Sequence, residues 1–565
     1  MDSVLQAGRT GLLILSFWGD LFILYRFVRI RSWFVPAVCM AGTGLILYWG
    51  VLADVLSQTA DLLLACGLAG FFCFLAYSVR GKVRLSRPDL FHLCFFIGAA
   101  VFAGLSLTMR LTHYDNFSHW AVIVKYLLGA DRLPGADAAI DAFRDYPPGS
   151  SLLIYYVCRY AGHSQGIMLL AQNSLILACF YAVFGIVKER RRFLLYSFLG
   201  MGCAMLSYLN LTVRINNLLV DFLLPLMALA SAAASYRCRE EPLKLCLVQA
   251  VLLGYTGIIK ETGLFFAGAA GVYAFAEMMR GLTMPVQSLT RPAQGKRRRA
   301  LLIPFGSAVM LLGIMLPAAA WQVRLGTELA GYGRPVVPVR PEQYAQVAEL
   351  FYRTALDPSD RAFQAVCLCA VLSAGAVIYG RIRLGKWWRL TWILPAASLA
   401  AAGYYAGMLY MYLHAMPADE ALRLAGFKRY ACSAAVLYAG FLIMGAAVDI
   451  EHSFAVGIDE RGPCRAYSSP GAKRRYQYAV LVTMVVGINF LYSEYSGLLR
   501  IRDGYEESLP AQAEHAVGDR WYEGAETDRR PYRISVPDRE SQAAEGELRY
   551  IYRYFLWAED VEICD

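Results

Sequence analysis

About fourteen apolar stretches of about 17–25 residues follow one another along this chain, each long enough to cross the hydrocarbon core of a bilayer. They lie near residues 10–28, 33–53, 59–78, 90–109, 166–187, 194–212, 217–236, 243–259, 262–280, 301–321, 362–380, 389–414, 430–449 and 477–496. Of the 565 residues 58% are hydrophobic and only 17% charged, against about 25% charged in a soluble domain. Lipid offers the backbone no hydrogen-bond partners, so apolar segments of this length must close their bonds internally as helices. The pattern predicts an all-α polytopic membrane protein of about 14 transmembrane helices. The first apolar run is followed, not preceded, by Arg26, Arg29 and Arg31. That is the reverse of a secretory signal, so the run reads as a first span with its N-terminus outside.

The formal charge is +10, yet the basic residues do not form a nucleic-acid surface. They collect in alternate short loops: Arg26 to Arg31; Arg80, Lys82, Arg84 and Arg87; Lys188 to Arg192; Arg280 to Arg299; Arg381 to Arg389; and Lys473 to Arg475. This is the positive-inside pattern, which places those loops in the cytoplasm. The loops near 110–165, 322–361 and 415–429 then lie outside. So does the polar tail 497–565, a small soluble domain or cap following the membrane domain 1–496. The 14 cysteines are scattered through apolar runs. No CxxC pair occurs, and Cys367 and Cys369 are two apart, a spacing that does not face one side of a helix. They predict neither a disulfide framework nor a metal site.

The first large external loop is the most polar interruption. In it Phe117, Trp120, Ala121, Val124, Leu127 and Leu128 recur at helical spacing, which predicts a short helix lying in the membrane interface with its apolar face down and Trp120 as an interface anchor. Ser151 to Val157 is apolar but too short to span, and is expected to dip into the interface. Ionisable residues gather at the outside ends of different spans: Asp115 and His119, Arg214 and Asp221, Lys260 and Glu261, and Arg423, Lys428 and Arg429. Charge near hydrocarbon is costly, about 2.5–3.5 kcal/mol at a helix centre on insertion scales, so such residues tend to face cavities and serve function. His119 follows Asp115 by four residues and shares its face if a helix starts early. It orients the carboxylate, contacts substrate or is an ordinary interfacial histidine.

Several segments resemble the GT-C superfamily of integral-membrane glycosyltransferases, which includes protein O-mannosyltransferases and bacterial lipid A aminoarabinose transferases. His113 to Trp120 (HYDNFSHW) is similar to the acidic motif of their first external loop, and Asp145 to Tyr156 (DYPPGSSLLIYY) to their Tyr-Pro-Pro segment. Ile215 to Leu224, Ile259 to Phe266 and Glu420 to Tyr430 resemble later helix-end and loop motifs. The resemblance covers roughly residues 90–450. It implies a large external first catalytic loop, a plasma-membrane location with the site on the extracytoplasmic face, and transfer of a sugar from a polyprenyl-phosphate donor with inversion. Four spans precede the acidic loop here, where many members have one. The motif reads Asp-Asn where some members have two acidic residues, which leaves a divalent metal open; no cofactor is otherwise implied.

The chemistry points the same way. Nucleotide sugars are not expected outside the cytoplasm, so a glycosyl donor there is lipid-borne. Transfer needs a base for the acceptor hydroxyl, for which Asp115 is the candidate, and cations for the departing phosphate, for which Lys260, Arg423 and Arg429 are candidates. His119, Tyr146, Asp221 and Glu261 complete the expected substrate-binding set. The expected partners are a polyprenyl-phosphate-linked sugar, a cell-envelope acceptor that is lipid, glycopolymer or protein, and membrane lipid, without nucleic acid. A transporter or flippase, or a surface-polysaccharide polymerase or ligase, are the competing readings. The first expects an internal repeat, and none is evident.

Overall fold

The computed structural model describes residues 2–82, 89–141, 143–211, 213–283, 292–330, 339–453, 467, 469–520, 527–535 and 543–564, with only the backbone path described along 292–300. Four helices precede the polar loop: α1 (Asp2–Arg26), α2 (Val35–Leu52), α3 (Leu56–Val79) and α4 (Leu90–Thr108). The loop holds a π-helical turn (Asn116–Trp120), α5 (Ala121–Ala130) and α6 (Gly149–Ala161). Then come α7 (Gln165–Phe184), α8 (Phe193–Leu209), α9 (Leu223–Cys238), α10 (Pro242–Gly257), α11 (Gly263–Thr283) and α12 (Pro292–Thr327). The second polar stretch carries α13 (Tyr344–Ala355) and is followed by α14 (Arg361–Leu384), α15 (Leu390–His414), the short α16 (Ala418–Ala421), α17 (Phe427–Ser453) and α18 (Pro470–Asp503). The tail folds as α19 (Leu509–Val517), β1 (Tyr532–Ser535), α20 (Ala543–Leu556) and β2 (Val561–Cys564).

Among the described residues ten helices are long and apolar enough to cross a membrane: α1 to α4, α7, α12, α14, α15, α17 and α18. The chain is a multi-pass membrane protein on that measure. Every expected apolar span overlaps a helix, but the one at 217–236 starts in irregular backbone and becomes helical only at Leu223, α8, α9 and α10 are shorter apolar helices, and α11 carries Glu277 and Arg280 in its second half. Large apolar side chains such as Phe72, Leu311, Val371, Leu399 and Val482 are exposed on the outer helices, a belt suited to lipid rather than water.

Local chemistry sets the helix starts. Asp89 caps α4 by accepting from the His92 backbone N–H, 3.0 Å, and Asp360 caps α14 by accepting from those of Ala362 and Phe363. Each carboxylate satisfies donors that a helix leaves without partners. Glycine lets backbones touch where helices cross: a Cβ on Gly19 of α1 would collide with the Gly67 carbonyl of α3, a small-residue contact of the kind membrane helices favour.

The basic loops are gathered at one end. Fully buried Glu277 accepts from Arg389, 2.7 Å, and pairs with Arg239 and Arg280 at 3.4 and 3.0 Å. Asp449 caps α15 through the backbone N–H groups of Arg389 and Leu390, and Arg31 pairs with Glu241 at 3.1 Å. Arg84, Arg87 and the basic run Arg291 to Arg299 lie outside the residues whose side chains are described.

Three expectations are corrected at the opposite end. The loop helix forms, but it does not lie on lipid: Phe117, Trp120, Ala121, Val124 and Leu127 are all buried inside the protein. Phe117 packs against Tyr554 and Phe555 of α20, ring centroids 5.2 and 5.7 Å, and Trp120 against His119 and Tyr146 rather than headgroups. The apolar face found a protein partner in the tail, which the loop's own periodicity does not reveal. Ser151 to Val157 belongs to α6, a buried helix packed against α1, α2, α5 and α7, not an interfacial piece. The all-α expectation misses a two-stranded parallel sheet, Tyr532 opposite Val561 and Ser535 opposite Cys564. The tail docks on the loop through Lys125, whose buried ammonium donates to Asp519 and to the Tyr554 carbonyl, both 3.0 Å.

Candidate functional site

Four segments far apart in sequence meet at the end opposite the basic loops. The first is the exit of α4. Thr112 and Asn116 tie it to the irregular stretch before α9: Asn216 donates to the Thr112 hydroxyl, 3.1 Å, and the Leu218 N–H donates to the Asn116 side-chain oxygen, 2.9 Å. Asn116, the second residue of the Asp-Asn pair, is thus a clip between two loops. The second segment is that stretch itself, residues 210–222, whose carbonyls of Asn217 and Leu219 accept from Gln172 of α7. Backbone that leaves helical geometry inside the protein must find such partners.

The third segment is the α10–α11 turn. Its Ile258 carbonyl accepts from the Gly149 N–H, 2.8 Å, and Tyr255 donates to the Gly149 carbonyl, 3.0 Å. A Cβ on Gly149 would stand 2.6 Å from the Ile258 oxygen, so the Tyr-Pro-Pro-Gly run needs glycine there to touch the turn that carries Lys260. The fourth segment is the first turn of α17.

The side chains these segments present form a continuous chain of ion pairs. Arg429 bonds the Asp115 carboxylate and reaches Asp221 at 3.1 Å; Asp221 in turn accepts from Lys260 at 3.0 Å. Ser433 steadies the Asp221 backbone by donating to its carbonyl, 2.7 Å. Lys260 and Arg429 both lie over the Tyr430 ring, 5.1 Å from its centroid. Asp115, Asp221 and Lys260 are all buried. Two carboxylates and two cations alternate, so the chain is neutral as a whole. Removing one member would leave a buried charge without its partner, a change that costs about 3–5 kcal/mol in proteins.

Electrostatics follow from this pairing. Burial alone would raise the Asp115 carboxyl, but Arg429, His119 and His113 outweigh it and bring it down to about 2. Asp221 is likewise lowered, burial being overcome by Lys260 and Arg429. Lys260 is raised, because Asp221 outweighs the effect of burial. All three are therefore ionised at neutral pH. His113 is lowered by burial, against the pull of Asp115, and its Nδ1 accepts from the Asp115 N–H, 3.2 Å.

His119 and Tyr146 border this chain. His119 shares a hydrogen bond with Ser118, 2.8 Å, and its ring meets those of Phe143 and Tyr146 at 4.5 and 5.3 Å. The fold therefore assembles Asp115, His119, Tyr146, Asp221, Lys260 and Arg429. Glu261 is next to Lys260 but exposed at the turn. Arg423 is exposed and does not join the chain of pairs: Leu424 (φ 48°) and Gly426 (φ 76°) reverse the backbone between it and α17. Among the described residues no group of three or more His, Cys, Asp or Glu is placed to hold a metal ion.

The residue that sequence reasoning missed is Glu547. It sits on α20, which packs over the Asn116–Trp120 turn, and it interacts electrostatically with both Asp115 and Tyr114. Burial first, and then Asp115, raise its carboxyl above the ordinary range. No local motif marks it; only the docking of the tail brings it here.

An apolar groove of about 340 Å³ runs between α4, α7, α8 and α18, walled by Phe95, Phe102, Phe180, Met201 and Ile488. Asn173, Ile215 and Glu494 line it as well. Ile215 belongs to the stretch that carries Asp221. Glu494 pairs there with Arg214, 2.8 Å. Comparison of the chain with protein-family models, curated proteins and solved structures gives no match.

Proposed function

We propose that this protein is a glycosyltransferase. It moves a sugar from a polyprenyl-phosphate donor to a cell-envelope acceptor on the outer face of the plasma membrane, with inversion. The observation that carries the reading is the buried chain Asp115–Arg429–Asp221–Lys260, built at the end away from the basic loops. A chain of charges closed by four distant segments, with an apolar groove reaching Ile215 of one of them, suits a substrate with an anionic head and a hydrocarbon tail. In the reaction the acceptor hydroxyl attacks the anomeric carbon, the bond from that carbon to the phosphate oxygen breaks, and the phosphate leaves with the electron pair. Lys260 has three N–H donors, of which Asp221 takes one, and with Arg429 it supplies the charge that stabilises the departing phosphate. The hydroxyl proton goes to a carboxylate. Asp115 is the base that the sequence suggests but, held near 2, it is a weak proton acceptor and chiefly orients the site. Glu547, which interacts electrostatically with Asp115 and is raised by burial, is better matched to general-base work.

The test follows polyprenyl-phosphate sugars in membranes supplied with acceptor extract. Lipid mass spectrometry would measure donor loss for wild type, Asp115→Asn and Glu547→Gln. Consumption of one donor by wild type, reduced about 10²-fold or more in Glu547→Gln and abolished in Asp115→Asn, is the expected result. Equal consumption by Asp115→Asn would remove that residue from the site. No consumption by folded wild type would turn the reading toward transport of a lipid-linked substrate.

A further inference from the structure

A second cavity, of about 350 Å³, opens at the same end as the Asp115 site but is walled by different residues. Asp54 comes from the α2–α3 turn, Arg132 and Asp137 from the loop after α5, Arg324 and Glu328 from the end of α12, and Glu559 from the tail. Its size falls within the range of small-ligand sites, about 300–1,000 Å³, but its character is unlike that of the apolar groove. Carboxylates and guanidinium groups both line it, together with Tyr126 of α5.

One of these guanidinium groups is fixed in the cavity wall by the fold. Arg324 is only 4% exposed, with Nε donating to Glu328 and Nη2 to the Pro134 carbonyl, both 2.9 Å. Its remaining nitrogen, Nη1, is buried with no hydrogen-bond partner. A buried donor without a partner is costly, and the guanidinium is held rigidly by its other two nitrogens at the cavity wall. The lining includes the four carboxylates of Asp54, Asp137, Glu328 and Glu559 against the three guanidinium groups of Arg132, Arg324 and Arg529. An anionic ligand would meet the carboxylates and a cationic one the arginines. A neutral molecule dense in hydroxyl groups satisfies both, since each hydroxyl donates and accepts.

The cavity is coupled to the Asp115 site by shared structure. Gly135 and Ala138 line it, and the same loop continues to Tyr146, which packs on His119. The loop is braced along its length: Arg144 donates to the Gly135 and Ala136 carbonyls at 3.2 and 2.7 Å, Trp321 to that of Asp145 at 3.1 Å, and Arg553 of the tail to that of Ala139. Tyr126 follows His119 by seven residues on the continuous helical run of the π turn and α5, two turns or roughly 10 Å along the axis.

We propose that this cavity binds an uncharged, hydroxyl-rich glycan, holding the acceptor chain so that its next sugar reaches the Asp115 site. The acceptor role rests on the glycosyltransferase reading; glycan binding does not. Full-length protein in nanodiscs would be examined by saturation-transfer difference NMR. The probes are methyl α-mannoside, methyl β-glucoside and methyl β-N-acetylglucosaminide, with glucose 6-phosphate as the charged comparison. The expected result is transfer to at least one neutral glycoside, weakened about tenfold in Asp137→Asn and in Arg132→Gln and unchanged in Lys386→Gln, which is exposed at the opposite end. Asp137 and Arg132 are exposed in the loop, so neither change threatens the fold. Transfer to no neutral glycoside, transfer to glucose 6-phosphate alone, or transfer indifferent to both substitutions would overturn the proposal. Neutral binding that persists while the donor assay fails would leave the subsite standing and sink only the glycosyltransferase reading.

Discussion

Asp115 shows how much a single side chain owes to its neighbours. Its carboxyl ordinarily titrates at 3.8 and in the folded protein at about 2, so the unfolded chain binds the proton more tightly. Stability from this group is therefore fully present above pH 3.8 and is lost as the pH falls through about 2. A shift of this size corresponds to about 2–3 kcal/mol. Asp115→Asn should lower thermal stability at pH 7 by at least that amount, up to the about 3–5 kcal/mol of a buried charge left unpaired, and the gap from wild type should narrow as the pH approaches 2. A gap that stays constant across that range, measured in detergent by thermal unfolding, would mean that the pairing with Arg429 contributes nothing. Asp115, Asp221, Lys260 and Arg429 were legible in sequence because charge at the end of an apolar span is costly and needs a reason. Choosing Arg429 over Arg423 was not possible, since the reversal at Leu424 and Gly426 is a property of the folded backbone.

Among the elements, the Tyr-Pro-Pro-Gly run and the α10–α11 turn are the pair on which the site depends. Gly149 donates its N–H to the Ile258 carbonyl of the turn that presents Lys260, and its carbonyl accepts from the Tyr255 hydroxyl of α10. Gly149→Ala places a methyl group against the Ile258 carbonyl, and neither backbone can yield freely. The expected cost is about 1–3 kcal/mol in stability, with a larger loss of donor turnover because Lys260 is displaced. A variant with lowered Tm and full turnover would show that the contact is merely structural. The amphipathic run after Asp115 gave its helix correctly from periodicity alone. It could not give the helix's surroundings, because an apolar face looks the same whether lipid or α20 covers it.

The molecule as a whole is sorted into two ends. The basic loops converge on Glu277 and Asp449 at one, and the candidate site and the tail occupy the other. On the positive-inside argument the site end is expected to face out. Arg353 of α13 and Lys386 after α14 are exposed at opposite ends. In a background with the native cysteines replaced, Arg353→Cys should react with a membrane-impermeant maleimide in intact cells, and Lys386→Cys only after permeabilisation. The reverse labelling would invert the topology and place the site in the cytoplasm.

The sequence by itself determined where the helices lie, which loops share a side and which charges are expensive enough to matter. Those properties follow from hydrophobicity and chain order, and each is written within a window of a few dozen residues. Only the tertiary structure decided that the four charges form one chain, that Arg423 stands apart and that Glu547, more than 400 residues from Asp115, comes within its electrostatic reach. It also decided that the tail, not lipid, covers the loop. Such contacts depend on which apolar faces find each other across the whole fold, and pairing between distant segments leaves no periodic trace in the segments themselves.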